Sequence, residues 1–147
     1  MPSHYKKFAL TLSINAVLMF FITYAMIDTV DHFYPNINRA YMSLMMVAPM
    51  AMVMLFVMRG MYQNAKLNAM LYAVFAGLFI VSLALARTQT PVGNEQFLRS
   101  MIPHHSSAIL MCQQSAITDR EIIELCGEIV QAQKEEIAQM KAILRRL

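Results

Sequence analysis

The chain of 147 residues carries a formal net charge of +3, with 58% hydrophobic residues, 14% charged residues and 15 methionines. A soluble domain holds about 45–50% apolar and roughly 25% charged residues, so this composition points to a membrane protein and away from a basic domain with a nucleic-acid partner. Two cysteines suffice for one bridge or one thiolate pair and exclude a disulfide framework.

Three uncharged stretches, at residues 8–27, 41–58 and 67–86, hold nearly all the excess hydrophobicity. At about 1.5 Å of rise per residue, helices of roughly 18–20 residues cross a hydrocarbon core of about 30 Å. Three transmembrane helices in the lipid bilayer are therefore expected within a membrane domain of residues 1–87. The first stretch follows Lys6 and Lys7, but it is longer than a signal-peptide core and leads into MIDTVDHF, not a small-residue cleavage site. Lys6, Lys7, Arg59 and Lys66 fall on one side of the three spans, whereas Asp28, Asp31 and only Arg39 fall on the other. Basic residues collect on the cytoplasmic side, so the N-terminus is expected in the cytoplasm of a bacterial inner membrane and residues 88–147 in the periplasm or outside the cell.

The second stretch carries Met42, Met46, Met50, Met54 and Met58, a four-residue spacing that keeps thioethers on one slowly drifting helix face. Methionine fills gaps in any apolar core, and its soft sulfur also binds Cu(I). The repeated MxxxM is similar, in that spacing alone, to Ctr-type copper transporters, whose orientation is opposite to the one expected here. Pro49 interrupts the backbone ladder of the same helix. Ala65, Ala69, Ala73 and Gly77 form a small-residue stripe suited to close packing against another span or another subunit. Asp28, Asp31 and His32 read as a polar rim at the end of the first span, before a turn marked by Pro35, Asn36 and Asn38.

Beyond the polar linker RTQTPVGNEQ, the pattern changes to two amphipathic helices. The first runs over about residues 94–117, and Pro103 either starts it or kinks it. The second is expected to begin at the capping box Thr118-Asp119-Arg120-Glu121, with Thr118 as N-cap. A tight turn between them gives an antiparallel hairpin in which Cys112 lies opposite Cys126 or its neighbours, and Met101, His104 and His105 lie opposite residues 133–136. Two imidazoles and several thioethers are then concentrated on adjoining faces, a donor set that suits copper better than zinc or magnesium. The competing reading is a pair of histidines packed among methionines, one of them hydrogen-bonded to a carboxylate of the second helix. Cys112 and Cys126 either staple the hairpin as a disulfide or add thiolates to the site.

FLRSMIPHHSSAILMCQQSA followed by EIVQAQKEEIAQMKAIL closely resembles the family termed domain of unknown function 305. The matching positions are Phe97, Met101, Ile102, Pro103, His104, His105, Ala108, Ile109 and Met111, then Ile129, Gln133, Glu136, Ile137 and Met140. The resemblance implies a ferritin-like helical arrangement in the cell envelope and, for some members, copper binding and tolerance through Met and His. This chain departs from the family in having Leu110 where an acidic residue is common, which lowers the charge of the site and favours Cu(I).

The expected architecture is all-α: three transmembrane helices, then an extracytoplasmic ferritin-like hairpin that completes a four-helix bundle by homodimerisation, because one helical pair buries too little core. The expected metal ligands are His104, His105, Met101, Met111 and Met140, with Cys112, Cys126 and Glu136 as further candidates, and the expected metal is copper, as Cu(I) before Cu(II). An enzyme is not expected. No Glu stands three residues before a His, as di-iron sites require, and Ser106 and Ser107 have neither a nucleophile elbow nor a nearby Asp. Sequestration, delivery or tolerance of Cu(I) is the leading expectation; a small copper transporter with a Met-lined span and a structural or assembly protein without metal are the alternatives.

Overall fold

Residues 2–147 are described by a computed structural model, with side chains from residue 4 onward. Among them are five α-helices and no strand: α1 (Pro2–Ile22), α2 (Ile37–Val57), α3 (Ala65–Thr88), α4 (Asn94–Gln114) and α5 (Arg120–Leu144), with one 3-10 turn at Val30–His32. Two compact units divide the chain, Met1–Thr23 with Asn38–Pro91, and Tyr24–Ile37 with Val92–Leu147.

In the first unit, α1, α2 and α3 are each long and apolar enough to cross a membrane. A third (33%) of the apolar window of α2 is buried, against 11% for α1 and 6% for α3, so α2 is the packed helix of the three. Its Val47, Ala51 and Leu55 meet Phe8, Leu12 and Tyr62 in one core, and the Ser43 hydroxyl donates to the Ala16 carbonyl (2.7 Å). Large apolar side chains such as Leu10, Val17, Phe21, Phe56 and Ile80 lie exposed on the outer surfaces, an arrangement that hydrocarbon stabilises and water does not. The methionine stripe divides: Met50 and Met54 pack on the core, while Met42, Met46 and Met58 are exposed. Among the described residues, nothing packs on the small-residue stripe of α3: Ala65, Ala69 and Ala73 are exposed and a Cβ added at Gly77 meets nothing within 4 Å. At the α2–α3 turn, Asn64 caps α3 by accepting from the Leu67 amide (3.0 Å), and Tyr5 donates to Asn68 (2.9 Å).

In the second unit, α4 and α5 pair as the expected antiparallel hairpin, burying Leu98, Ile102, Ile109, Ile137 and Met140. The N-cap of α5 is Asp119, whose side chain accepts from the Ile122 amide (3.1 Å), one residue later than the capping-box reading. Its carboxylate supplies both the acceptor and the negative charge favoured at a helix N-terminus. Pro103 neither starts nor ends α4, which runs through it with Pro103 buried. A proline has no N–H for the carbonyl four residues back, so the Arg99 carbonyl loses its helical donor. The Asn36 amide donates to that carbonyl (3.2 Å).

Asn36 belongs to a connection that packs onto α4 and does not merely turn the chain back. α1 ends at Ile22, short of the expected residue 27, and Tyr24 turns into the second unit. There Tyr24 stacks near Phe33, donates to the Tyr34 carbonyl (2.9 Å) and accepts from Asn36 (3.1 Å). The Ile37 amide at the start of α2 donates to Gln96 of α4 (3.0 Å).

Asn36→Ala therefore leaves a partly buried carbonyl without its donor, at a cost of about 1 kcal/mol. Hydrogen exchange of the full chain should then show faster exchange in residues 24–37 and 96–106; unchanged protection there would contradict the role given to Asn36.

Candidate metal centre

α4 brings the sequence-predicted donors to two different faces. Leu98, Ile102, His105 and Ile109, spaced by four, three and four residues, point toward α5. His105 is 9% exposed, and its side chain is held at both nitrogens. Nδ1 lies 2.9 Å from the Met101 carbonyl and Nε2 lies 2.6 Å from Glu136 Oε2 on α5. A carbonyl only accepts, so Nδ1 carries the proton and donates it. This tautomer directs the Nε2 lone pair at Glu136, and at 2.6 Å the two atoms share a proton in a charge-assisted hydrogen bond; a metal ion at Nε2 would take that proton's place with the carboxylate drawn back. Metal-binding imidazoles adopt this same orientation, with the remote N–H tied to a carbonyl. Met140 is buried in the hairpin core and Met101 packs against it, so two thioethers belong to the same α4–α5 interface as His105.

His104 and Met111 lie elsewhere. His104 is exposed, its ring centroid 5.8 Å from that of His105, and Met111 is 57% exposed. Among the described residues no group of three or more His, Cys, Asp or Glu is placed to hold a metal ion.

Cys112 and Cys126 form a disulfide with their Cα atoms 5.4 Å apart, which resolves the two readings of the pair in favour of the staple. Both sulfurs are thereby committed to each other, at the turn end of the hairpin. The bridge sets α4 and α5 in the register that brings His105 to Glu136.

Sequence reasoning missed the third set of groups around α4. Ser106 is fully buried, and its hydroxyl accepts from the Asp28 amide (2.7 Å) and lies 2.9 Å from His32 Nδ1. Burial, followed by the positive charge of Lys141, holds His32 below the ordinary histidine range, against the opposing pull of Asp31 and Asp28. A neutral His32 accepts at Nδ1 from the Ser106 hydroxyl, completing a chain from the Asp28 amide through Ser106 to the ring. Asp31 pairs with Lys141 of α5, and the hydrogen bond and charge of that lysine hold its carboxyl below the usual range. The signal that marked these contacts was the polar and aromatic run from Tyr24 to Asn36, which no turn alone requires.

Because His32 is depressed in the folded chain, the unfolded chain binds more protons at this group below about pH 6.5. Its contribution to stability is complete above that pH and is lost as pH falls toward the folded value. NMR titration should give His32 a midpoint below the ordinary 6.5, and His32→Gln should reduce the loss of stability on acidification. A His32 that titrates at or above the ordinary value would contradict this account.

The bridge closes a loop over a sequence separation of 14 residues. Replacing Cys112 and Cys126 together by Ser should lower hairpin stability by about 3 kcal/mol, measured by denaturant unfolding. No loss of stability would mean that the bridge adds nothing to the register.

The domain of unknown function DUF305 matches the chain over residues 26–144, a span that begins inside the α1–α2 connection and ends at the last residue of α5. Uncharacterized protein L153 of Acanthamoeba polyphaga mimivirus is 31% identical over 111 residues, covering 74% of this chain and 71% of that protein. No solved structure matches. Both the sequence match and the arrangement of MIPHH on α4 lead to one assignment: the chain belongs to the DUF305 family.

Proposed function

We propose that this protein is a membrane-anchored copper-binding protein that holds Cu(I) on the inner face of its α4–α5 hairpin, for sequestration, delivery or tolerance. The observation that carries the reading is His105. Its Nδ1 is tied to the Met101 carbonyl and its Nε2 is aimed at Glu136, 2.6 Å away, beside a core that contains Met101 and Met140. Imidazole and thioether together favour Cu(I), and the carboxylate neutralises the cation. Copper is the cargo here, and the residues named bind and orient it without turning anything over.

The surrounding features support this assignment. Three helices long and apolar enough to cross a membrane support an anchored hairpin, and the distribution of Lys and Arg, with the Cys112–Cys126 disulfide, supports an extracytoplasmic one. His105 is buried while Glu136 is half exposed, so an ion would reach the imidazole from the carboxylate side. A homodimer supplies the remaining helices of the bundle.

The test is Cu(I) binding by the full chain in detergent, in competition with a chromogenic chelator. Met101→Leu and Met140→Leu conserve volume and keep the fold within about 1.5 kcal/mol, yet each removes a sulfur donor. Both should weaken Cu(I) binding, and Glu136→Gln should weaken it by about 10–100-fold, the range seen when a partner of a ligating histidine is lost. Unchanged affinity in His105→Ala would overturn the proposal.

A further inference from the structure

At the end of the hairpin away from the disulfide, a groove of about 240 Å³ is lined by Asn94, Phe97 and Leu98 of α4 and by Ile143, Arg146 and Leu147 at and beyond the end of α5. Leu98 is buried and Ile143 half-buried, whereas Phe97 is 52% and Leu147 65% exposed, so the groove is apolar from its base to its edges. Pockets that enclose a whole small ligand run to about 300–1,000 Å³. This one has room for a segment of a larger molecule.

The charge beside it is of one sign. Among the described residues neither Arg145 nor Arg146 makes an ion pair. Glu95, in the first turn of α4, is engaged by Arg99 (2.8 Å), and Asp31 is engaged by Lys141. A guanidinium matches the geometry of phosphate oxygens and binds them through parallel N–H groups. An apolar groove with unpaired guanidinium at its rim fits an amphiphile with an anionic head. A free anion would leave the apolar base unused, and a second copy in two-fold contact here would set its own arginine pair against this one.

The groove also lies close, along the chain, to the helices read as membrane spans. Asn94 is six residues beyond Thr88, the last residue of α3, a separation of at most about 20 Å for an extended chain. Ile37, the first residue of α2, donates its amide to Gln96 in the same first turn of α4 (3.0 Å). A bilayer crossed by α2 and α3 presents phospholipid within that distance. We propose that the groove holds an anionic phospholipid of the surrounding leaflet, with an acyl segment against Phe97, Leu98 and Ile143, the phosphate on Arg146, and Arg145 adding to the attraction. The site rests on the reading of three membrane spans and is independent of copper.

The chain contains no Trp, so Phe97→Trp, at a half-exposed position, places a single reporter in the groove. The full chain is reconstituted in vesicles of phosphatidylcholine and phosphatidylglycerol, with bromine on the acyl chains of one lipid or the other, and recovered by flotation. Brominated phosphatidylglycerol should quench the reporter more strongly than brominated phosphatidylcholine at equal content, and replacing Arg145 and Arg146 together by Gln should remove the difference. Native mass spectrometry of the chain with Phe97 intact should show retained phosphatidylglycerol, weakened about fivefold for each arginine replaced. Glycerol phosphate, which has the anion and no acyl chain, should not displace it. Equal quenching by the two lipids means general contact with the bilayer, and displacement by glycerol phosphate means a free-anion site; either overturns the proposal. A chain that floats with the vesicles yet shows neither preferential quenching nor retained lipid overturns the site alone, and one that does not float overturns the anchorage with it.

Discussion

Pro103 removes one backbone donor from the middle of α4, and the carbonyl it frees has to be met from outside the helix. Asn36 meets it, and in doing so fixes the connection of residues 24–37 against one side of the hairpin. Ser106, three residues on, is turned toward the same connection, where it takes the Asp28 amide and faces His32. With that side occupied and α5 on the next, the rotation of α4 about its own axis is set. His105 is directed inward to Glu136 and His104 outward, so two adjacent histidines receive opposite environments from one backbone constraint.

The polar groups of the second unit are partitioned accordingly. The buried ones are paired with each other: His105 with the Met101 carbonyl and Glu136, Ser106 with Asp28 and His32, Asn36 with Tyr24, Tyr34 and Arg99. Such networks satisfy groups whose unpaired burial costs about 1–3 kcal/mol each. They also make the hairpin specific: the disulfide aligns α4 with α5, Lys141 draws Asp31 to α5, and Asn36 and Ser106 hold the connection on α4. His105 and Glu136 are thus held by contacts within the protein itself. A preorganised site, as proposed for them, would bind without the ordering cost that a mobile pair of side chains incurs.

Much of this was legible in the amino-acid sequence. Hydropathy marked three helices long enough to cross a membrane, and apolar periodicity marked the hairpin. Counting outward from its turn placed Cys112 opposite Cys126 or its neighbours and Met101, His104 and His105 opposite residues 133–136, and the disulfide and the His105–Glu136 contact fall within those ranges. Other features were hidden by physics that acts across the chain. Periodicity is blind to a carbonyl orphaned by proline and met by Asn36, a residue 63 positions away. Likewise, Asp28, Asp31 and His32 read as a rim because their partners, Ser106 and Lys141, are distant in sequence. The candidate ligands all fall on one hairpin, but only the structure divides the buried or half-buried Met101, Met140 and His105 from the exposed His104 and Met111.

The central claim is that a copper ion is held by imidazole nitrogen and methionine sulfur together. X-ray absorption at the copper edge, on the full chain loaded with Cu(I), tests it most directly. The account predicts nitrogen and sulfur in the same first shell, with the sulfur signal falling in Met101→Leu and Met140→Leu. A shell of nitrogen and oxygen alone, unchanged by those substitutions, would contradict it.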